Sequence, residues 1–297
     1  MKKILLILAA GVVVICRARS TVILDDSFDY PDGALTAVSA GTWVSHSGTL
    51  NQVDVTSGRV NLSQKESEDV NAQLAGAPYE GPTLYASFLV NFSALPAGAG
   101  TYFAHFKNAT ATGIRCRIFA TTTGAATGRF RLGIANGSGA PVDVATDLTL
   151  NTDYLLVARY NSGTPASTIW ISPASESDTA NRADATDSAT AISITSFALR
   201  QAGLDPGMGV LTFDNLKVGT AFSEVASSHY QLQIQADRSG VAISWPIAAA
   251  DYRLQSKMTL DAGDWSDVSE IPAPQGDKLI VRYPSLLGSQ FFRLVKP

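Results

Sequence analysis

Short stretches in which apolar and polar residues alternate occupy most of this chain. In the stretch 83–92, one set of alternate positions is apolar throughout, and the intervening set includes Tyr85, Ser87 and Asn91. The apolar set consists of Leu84, Ala86, Phe88, Val90 and Phe92. Because side chains point to opposite faces of a strand at a period of two, this stretch predicts a strand with one face in a core and one in solvent.

Comparable stretches, separated by turn signals such as Pro31-Asp32-Gly33 and Asn136-Gly137, continue to residue 218. The predicted strands are 22–26, 42–45, 50–55, 59–63, 70–74, 83–92, 101–107, 114–121, 129–136, 153–161, 167–172, 193–200 and 209–218. They lack the strand–helix–strand spacing that a parallel sheet requires. Residues 21–225 are therefore predicted to form an antiparallel two-sheet sandwich.

The pattern changes near Ala226-Ser227-Ser228, which predicts a linker before a second unit, residues 229–297. Its predicted strands are 231–236, 241–245, 252–256, 265–268, 278–283 and 290–295. We expect this unit to be a small β-sandwich. Its expected core residues are Trp245, Tyr252, Trp265 and Phe292.

The N-terminus predicts a secretory signal peptide over residues 1–20. Two lysines precede an apolar run, 4–15, that is too short to span a bilayer comfortably. Ala18 and Ser20 stand where a signal peptidase requires small residues. The mature protein is thus expected to be secreted or held at the cell surface, with no membrane span after cleavage. Lipid attachment at Cys16 and an uncleaved anchor are open alternatives.

Charge and cysteine content narrow the function classes. Cleavage after residue 20 would remove four of the 22 basic residues and none of the 26 acidic ones, leaving 18 − 26, or a net charge of about −8. An exported acidic chain is not expected to bind nucleic acid. The one remaining cysteine, Cys116, allows no internal disulfide, so stability must come from a large core.

The first unit resembles the concanavalin A-like, laminin-G-like jelly rolls of exported bacterial proteins. The segments that carry this resemblance are 25–33 (DDSFDYPDG), Trp43, 84–88 (LYASF), 102–106 (YFAHF), 170–173 (WISP) and 213–218 (FDNLKV). The second unit resembles fibronectin-III-like modules through 243–246 (ISWP), 252–256 (YRLQS) and 291–294 (FFRL). The resemblance implies an all-β chain, with an antiparallel concanavalin A-like jelly-roll sandwich followed by a small β-sandwich module.

Motifs for catalysis are missing from the sequence. The glucanase version of the jelly roll carries Glu-x-Asp-x-x-Glu on one strand, and nothing here matches it. The nearest group, Glu66, Glu68 and Asp69, is interpreted as a polar turn. There is no Gly-x-Ser-x-Gly or His-Glu-x-x-His, and the three histidines are scattered. The protein is therefore predicted not to be an enzyme.

The hairpin formed by strands 114–121 and 129–136 carries the main candidate site. If Cys116 and Phe130 face the core, strict alternation sends four arginines to one outer surface. These candidates are Arg115, Arg117, Arg129 and Arg131, with His105, Lys107 and Phe119 beside them. Like charges across strands destabilise a sheet, so the cluster requires a counter-charge. Carboxylates on adjacent strands, such as Asp153, are one source, and an anionic ligand is the other.

A structural calcium ion is the second candidate. Asp25 or Asp26 on the first strand and Asp214 on the last could converge if those strands are neighbours, and similar folds often hold calcium there. Hydrogen-bonded aspartates are the alternative. The acidic stretch 175–191 is interpreted as a solvated surface loop. A further calcium loop is the alternative, although the acidic residues lack the regular spacing of such loops.

The leading hypothesis is a non-catalytic extracellular or cell-surface protein that binds glycan, with acidic polysaccharide as the ligand of the arginine surface. A structural or adhesive protein that contacts other proteins is the alternative from another class. A glycoside hydrolase with an unrecognised site is the third. A binder should show a groove, a spacer flat faces, and a hydrolase two carboxylates across a cleft.

Overall fold

The computed structural model describes residues 22–48, 51–110, 112–201, 207–226, 232–237, 240–250, 252–259, 265–276, 278–284 and 290–295. The predicted signal peptide 1–20 and the linker residues Ser227-Ser228 lie outside these residues, so cleavage and export stay predictions. Among the described residues, no helix is long and apolar enough to span a bilayer.

The first unit consists of sixteen strands and two short helices. In chain order they are β1 Val22–Asp26, β2 Gly33–Ala34, α1 Leu35–Val38, β3 Trp43–Ser47, β4 Asp54–Thr56, β5 Arg59–Ser63, β6 Asp69–Gln73, β7 Thr83–Ala94, β8 Thr101–Lys107, β9 Ile114–Thr121, β10 Arg131–Ala135, β11 Val142–Asp143, β12 Tyr154–Asn161, β13 Ala166–Ile171, β14 Arg182–Asp184, β15 Ser196–Leu199, β16 Val210–Gly219 and α2 Phe222–Ala226. Four of these strands, β1, β5, β8 and β9, have the predicted bounds. Most of the others differ from the predicted strands by a few residues at their ends.

Two antiparallel sheets make up this unit. The nine-stranded sheet has the order β14-β13-β12-β7-β16-β5-β4-β2, with β1 also paired to β16, and the seven-stranded sheet has the order β11-β10-β9-β8-β15-β6-β3. Their inner faces share one core, in which Phe88 of β7 lies 5.9 Å from Phe197 of β15 and 6.5 Å from Phe103 of β8, between ring centroids. The predicted all-β, antiparallel jelly-roll sandwich is confirmed.

The apolar face of β7 is buried as predicted, but its other face is not in solvent along its whole length. Tyr85 is only 7% exposed and Ser87 is fully buried. The cause is α2, whose Val225 packs over this part of the strand, and the Ser87 hydroxyl donates a 2.7 Å hydrogen bond to the Val225 carbonyl oxygen. A short helix at the end of the first unit thus covers the outer surface of the nine-stranded sheet.

The second unit contains two smaller antiparallel sheets. Their strands are β17 Gln233–Asp237, β18 Gly240–Pro246, β19 Arg253–Lys257, β20 Ser266–Asp267, β21 Ala273–Gln275, β22 Lys278–Tyr283 and β23 Phe291–Val295, and a 3₁₀ turn spans Ile247–Ala249. The sheet orders are β17-β18-β22-β21 and β20-β19-β23. The strand β21 was not predicted. Independent folding of the two units stays a prediction.

The expected core of the second unit is right for three of its four aromatic residues. Trp245 is buried, and Tyr252 and Phe292 pack partly buried against it. Trp265 is not part of this cluster, and its ring instead contacts the Arg293 guanidinium, whose carbon lies 4.4 Å from the ring centroid.

Candidate functional site

The strand β9 does not alternate strictly. Cys116 is buried, as predicted for a small apolar core residue, but its φ is +53° and the pairing with β8 shifts there. Arg115 therefore lies opposite Phe106, a core residue, while Ile118 lies opposite Ala104. This bulge changes how Arg115 and Arg117, which flank Cys116, are placed relative to each other. Strict alternation therefore did not predict the contacts of either arginine that are described below.

Arg117 lies on the outer face of the seven-stranded sheet, against two aromatic rings. Its guanidinium carbon is 5.2 Å from the ring centroids of both Tyr102 and Phe119, and its Nη2 donates to the Gly139 carbonyl oxygen at 3.0 Å. Its Nε is buried without a hydrogen-bond partner in the described part of the chain. Burial lowers the pKa of Arg117, Tyr102 and the Asp187 carboxylate act in the opposite direction, and the charge of Arg200 adds a smaller lowering effect.

Arg200 is a site residue that the sequence interpretation missed. It follows β15, in which Phe197 and Leu199 are core residues, so the same alternation sends Arg200 to the outer face. Its guanidinium carbon lies 4.4 Å from the Tyr102 ring centroid. Its Nη1 donates to the Thr101 hydroxyl at 3.1 Å and to the Tyr102 carbonyl oxygen at 3.3 Å.

His105 lies beneath this layer, on β8. It is 1% exposed, and neither ring nitrogen has a hydrogen-bond partner among the described residues. Its ring centroid is 5.4 Å from that of Tyr102 and 6.4 Å from that of His46. Burial holds the pKa of His105 well below its usual range, and the charges of Arg200, Lys107 and Arg117 act in the same direction. The imidazole is neutral at physiological pH.

His46 and Lys107 extend the same surface. Burial lowers the pKa of His46 to about 4, and the Lys107 charge adds to this effect. Lys107 is itself buried, which lowers its pKa. Neutral histidines beside three cationic side chains give this face a positive electrostatic potential within a protein of net negative charge.

A cleft of about 520 Å³ opens beside Tyr102 and Arg117. Its other lining residues include Ile114, Arg115, Ser138 and Thr190. Two loops form its rim, and Asp187 joins them. The Asp187 carboxylate accepts hydrogen bonds from the backbone N–H groups of three residues at distances of 2.6, 2.8 and 3.1 Å. The three donors are Asn136, Gly137 and Gly139.

Arg115 reaches the rim of this cleft rather than a neighbouring arginine. Its Nε and Nη2 donate to the Thr190 carbonyl oxygen at 2.8 and 2.7 Å, and its Nη1 donates to the Ile114 carbonyl oxygen at 2.7 Å. Backbone carbonyl oxygens thus orient this guanidinium without neutralising its charge.

Two of the four predicted arginines do not belong to the cluster. Arg131 forms a 2.6 Å ion pair with Asp147, and Arg129 precedes β10 in an exposed turn. The Ala126 N–H, the Arg131 guanidinium and the Arg129 charge lower the pKa of Asp147. The expected counter-charge, Asp153, belongs to the other sheet, where it pairs with Arg59 at 2.8 Å. Arg131 is thus already neutralised and Arg129 lies outside the strand, whereas Arg115 and Arg117 both line the cleft. His105 and Phe119 lie close to Arg117. A binding surface shared by all four arginines stays a prediction.

The calcium candidates are neighbours along β1 and β16, as predicted, but their oxygens are committed elsewhere. Asp26 is buried and accepts hydrogen bonds from the Phe28 N–H, the Tyr30 hydroxyl and the Trp43 Nε1 at 2.8–2.9 Å. Asp25 lies 3.6 Å from Lys217.

The third candidate, Asp214, accepts hydrogen bonds from the backbone and side chain of Asn215 and lies 3.6 Å from Arg59. A carboxylate has about four lone-pair sites; several of those of Asp26 and Asp214 are already directed at N–H and O–H donors, and Lys217 and Arg59 add positive charge beside Asp25 and Asp214. The set Asp25, Asp26 and Asp214, as arranged here, does not fit calcium, and the hydrogen-bonded alternative describes it better.

The acidic stretch 175–191 is also engaged with protein groups. Glu176 accepts the Tyr85 hydroxyl at 2.7 Å and pairs with Arg159 at 3.1 Å, and Asp178 accepts two backbone N–H groups. Across the described ranges, no group of three or more histidine, cysteine or acidic residues could hold a metal ion.

No family model matches the chain, and no curated protein matches its sequence. Among solved structures, a sialidase is similar at 12% identity with a TM-score of 0.41, covering 69% of this chain, which spans only 20% of the sialidase. The VIP36 exoplasmic/lumenal domain in its Ca2+/Man2-bound form shares 13% identity with a TM-score of 0.40, covering 67% of this chain and 88% of that one. The PL7 alginate lyase AlyA1 from Zobellia galactanivorans shares 13% identity with a TM-score of 0.40, covering 61% and 96%. At these values the similarity says nothing about ligand or reaction.

Proposed function

We propose that the protein is a non-catalytic, exported carbohydrate-binding protein, and that it binds acidic polysaccharide on the outer face of its seven-stranded sheet. The observation that carries this proposal is a group of cations without carboxylate partners. Within the described part of the chain, no carboxylate oxygen lies within 4.0 Å of the charged nitrogens of these residues. They are Lys107, Arg115, Arg117 and Arg200.

An anionic ligand would relieve the cost of this arrangement. The guanidinium of Arg117 is partly removed from water and repelled by Arg200, and the Asp187 carboxylate that attracts it directs its oxygens to three backbone N–H groups instead. A bound carboxylate or sulfate supplies the missing opposite charge, and each charge-assisted hydrogen bond contributes roughly 1.5–3 kcal/mol. Two or three such contacts would give useful affinity.

The aromatic residues of this face favour a sugar over a simple anion. Tyr102 lines the cleft of about 520 Å³, and the buried Phe119 ring supports it at 5.6 Å between ring centroids. Clefts of roughly 300–1,000 Å³ are typical of sites for small ligands, and aromatic rings bind the apolar faces of sugars while their edges stay polar.

The lining of the cleft supports binding rather than hydrolysis. The described residues that line it include no aspartate or glutamate. Most glycoside hydrolases need two carboxyl groups on either side of the scissile bond. The proposal therefore assigns recognition, and not bond cleavage, to this site.

Glycan-array screening of residues 21–297 tests the binding proposal. We expect wild-type protein to bind uronate-containing or sulfated glycans, and Arg117→Ala to lose most of this binding. Arg131→Ala is the matched control, because its guanidinium is already neutralised by Asp147. Equal binding by Arg117→Ala and wild type, with both folded, would contradict this site.

The non-catalytic assignment and export need separate measurements. Incubation of a bound glycan with the protein should release no shorter products by chromatography, and product release would reject the assignment. N-terminal sequencing of protein recovered from the medium or cell surface should begin near residue 21, and a mature protein that keeps Met1 would reject cleavage.

A further inference from the structure

We propose that Tyr102, Arg117 and Arg200 form a guanidinium clamp that binds acidic groups on two sugar units of one chain, so that the ligand is a polyanionic glycan rather than one with a single charge. This inference rests on the proposed function and assigns its specificity. It gives Arg200 a role equal to that of Arg117, although Arg200 lies 83 positions further along the chain (200 − 117).

The clamp brings two like charges to one aromatic ring. The guanidinium carbons of Arg200 and Arg117 lie 4.4 and 5.2 Å from the Tyr102 ring centroid. A cation–π contact stabilises each guanidinium by roughly 0.5–2 kcal/mol, but it does not neutralise either charge. One bound acidic group would leave the other guanidinium uncompensated, whereas two acidic groups would satisfy both.

Both guanidinium groups are oriented before a ligand arrives. Arg117 is held through Nη2 by the Gly139 carbonyl oxygen, and Arg200 is held through Nη1 by Thr101 and the Tyr102 carbonyl oxygen. Each guanidinium has five N–H donors, so each keeps donors beyond those that hold it in place. Pre-oriented donors lose less entropy on binding, which favours affinity.

The buried His105 is an independent indication of a polar ligand. Its two ring nitrogens have no hydrogen-bond partner in the described ranges, although it is 99% buried beneath Tyr102 (100 − 1). Buried polar groups in folded proteins nearly always have a hydrogen-bond partner, so an unpaired one calls for a further polar group beside it, such as a water molecule or an ion. Three cations surround this histidine, so the surroundings repel a metal ion and attract an anion.

Asp69, a carboxylate close to Arg200, does not take the place of the second acidic group of the ligand. Asp69 is close enough to Arg200 for the guanidinium to lower its pKa, but burial is the larger effect and raises the pKa of Asp69 to about 6. Its Oδ1 accepts the Gln201 N–H instead of an Arg200 donor. Arg200 therefore keeps a positive charge that Asp69 only partly offsets.

The test uses the mature chain and two series of ligands, oligogalacturonates and heparin-derived oligosaccharides, each from short to long. Isothermal titration calorimetry should show a steep gain in affinity once an oligomer carries two acidic groups. Arg117→Ala and Arg200→Ala should each weaken binding of the longer oligomers by roughly 10-fold or more, and each should reduce its dependence on salt. The two series distinguish carboxylate from sulfate.

Three further variants separate the clamp from general charge and from misfolding. Arg131→Ala should bind as wild type. Arg200→Lys should recover only part of the affinity, because an ammonium lacks the planar fork. Tyr102→Phe should keep most of the binding, because the ring is retained. Thermal melting confirms that each variant is folded.

The outcomes distinguish this inference from the proposed function. If wild type binds acidic glycans but Arg200→Ala binds them equally well, or if affinity does not grow with the number of acidic groups, the clamp is rejected and carbohydrate binding stands. Binding to neutral glycans alone would reject both the clamp and the acidic ligand of the proposed function, and would leave only carbohydrate binding. If no glycan binds, both proposals fail.

Discussion

The two sheets of the first unit differ in whether the positive charges on their outer faces are neutralised by carboxylates. Every lysine and arginine in the strands of the nine-stranded sheet forms an ion pair. These pairs are Arg59–Asp153, Arg159–Glu176, Arg182–Asp184 and Lys217–Asp25. In the strands of the seven-stranded sheet, only Arg131 has such a partner among the residues that the structure describes. The comparison separates a surface that is internally neutralised from one that is left charged.

The two faces also differ in their aromatic residues. On the nine-stranded sheet, Trp170 is 1% exposed because Phe222 and Val225 of α2 pack against it. On the seven-stranded sheet, Tyr102 lines a cleft, and two guanidinium groups, Phe119 and His105 lie against its ring. A fully buried aromatic residue stabilises the fold, whereas one that lines an open cleft remains accessible to a ligand.

The largest expected effect comes from truncating these two aromatic residues. Loss of one should mainly lower stability, and loss of the other should mainly remove glycan binding. Trp170→Ala should lower the free energy of unfolding by about 3–5 kcal/mol, because it leaves a cavity beneath α2. Tyr102→Ala should destabilise far less while it removes glycan binding. Urea denaturation measures the first effect and calorimetry the second. Equal destabilisation by both variants would remove the distinction between the two faces.

Truncation of Asp26 should give the next largest effect. It tests whether the carboxylates beside the nine-stranded sheet act as hydrogen-bond acceptors. Asp26→Ala leaves three donors without their acceptor, and each buried unsatisfied group costs about 1–3 kcal/mol. We expect a loss of about 3 kcal/mol or more. Asp25→Ala, on an exposed pair with Lys217, should cost less than about 1 kcal/mol. Melting temperatures that fall on adding chelator would instead support a calcium site.

The histidines of the seven-stranded face predict a loss of stability in acid. Because the pKa of His46 is lowered to about 4 and that of His105 is lowered too, the unfolded chain binds protons below about pH 6.5 while the folded protein does not. The free energy of unfolding should therefore fall from pH 6.5 towards pH 4. The groups facing His105 are His46, Tyr102, Lys107, Arg117 and Arg200.

Comparison with His105→Gln isolates this effect. Asp69 acts in the opposite direction, since its raised pKa of about 6 means that the folded state binds the proton more tightly between pH 3.8 and 6. Asp69 is common to both proteins, so the difference between their pH profiles reports the histidine. Wild type should lose stability more steeply than His105→Gln below pH 6.5, and parallel profiles would contradict this account.

The smallest expected effects are the changes in the free energy of unfolding when a single arginine is removed from either outer face. Arg159→Ala removes an ion pair with Glu176 and a contact with Trp170, and should cost about 1 kcal/mol. Arg200→Ala should cost less than Arg159→Ala, because the loss of its contacts with Tyr102 and Thr101 is partly offset by relief of the repulsion with Arg117. A cost equal to or above that of Arg159→Ala would indicate that Arg200 supports the fold in the same way.

The strand pattern was readable from the sequence because each strand needs only its own alternation to bury one face. The bounds of β1, β5, β8 and β9 follow from that rule alone. The outer face of β7 was misjudged, since its cover, α2, follows it by more than a hundred residues along the chain. Short-range periodicity contains no information about which distant segment returns to a surface.

The candidate site shows the same division. The alternation within β9 and β15 was enough to place Arg117 and Arg200 outside, although Arg200 was not recognised. The bulge at Cys116, the ion pair of Arg131 with Asp147 and the engagement of Asp153 with Arg59 were not visible in the sequence. A bulge shifts register by one residue, and a salt bridge depends on which loop arrives beside a strand.

The sequence by itself determined the all-β class, the approximate strands and the excess of negative charge, because these depend on composition and on neighbours along the chain. Only the tertiary structure decided which cations are neutralised. Arg131 and Arg117 look alike in a hairpin, yet one lies beside Asp147 and the other beside Tyr102 and Gly139. Electrostatic energy falls with distance in space and not with separation in sequence, so a charged face is defined only after the sheets have packed.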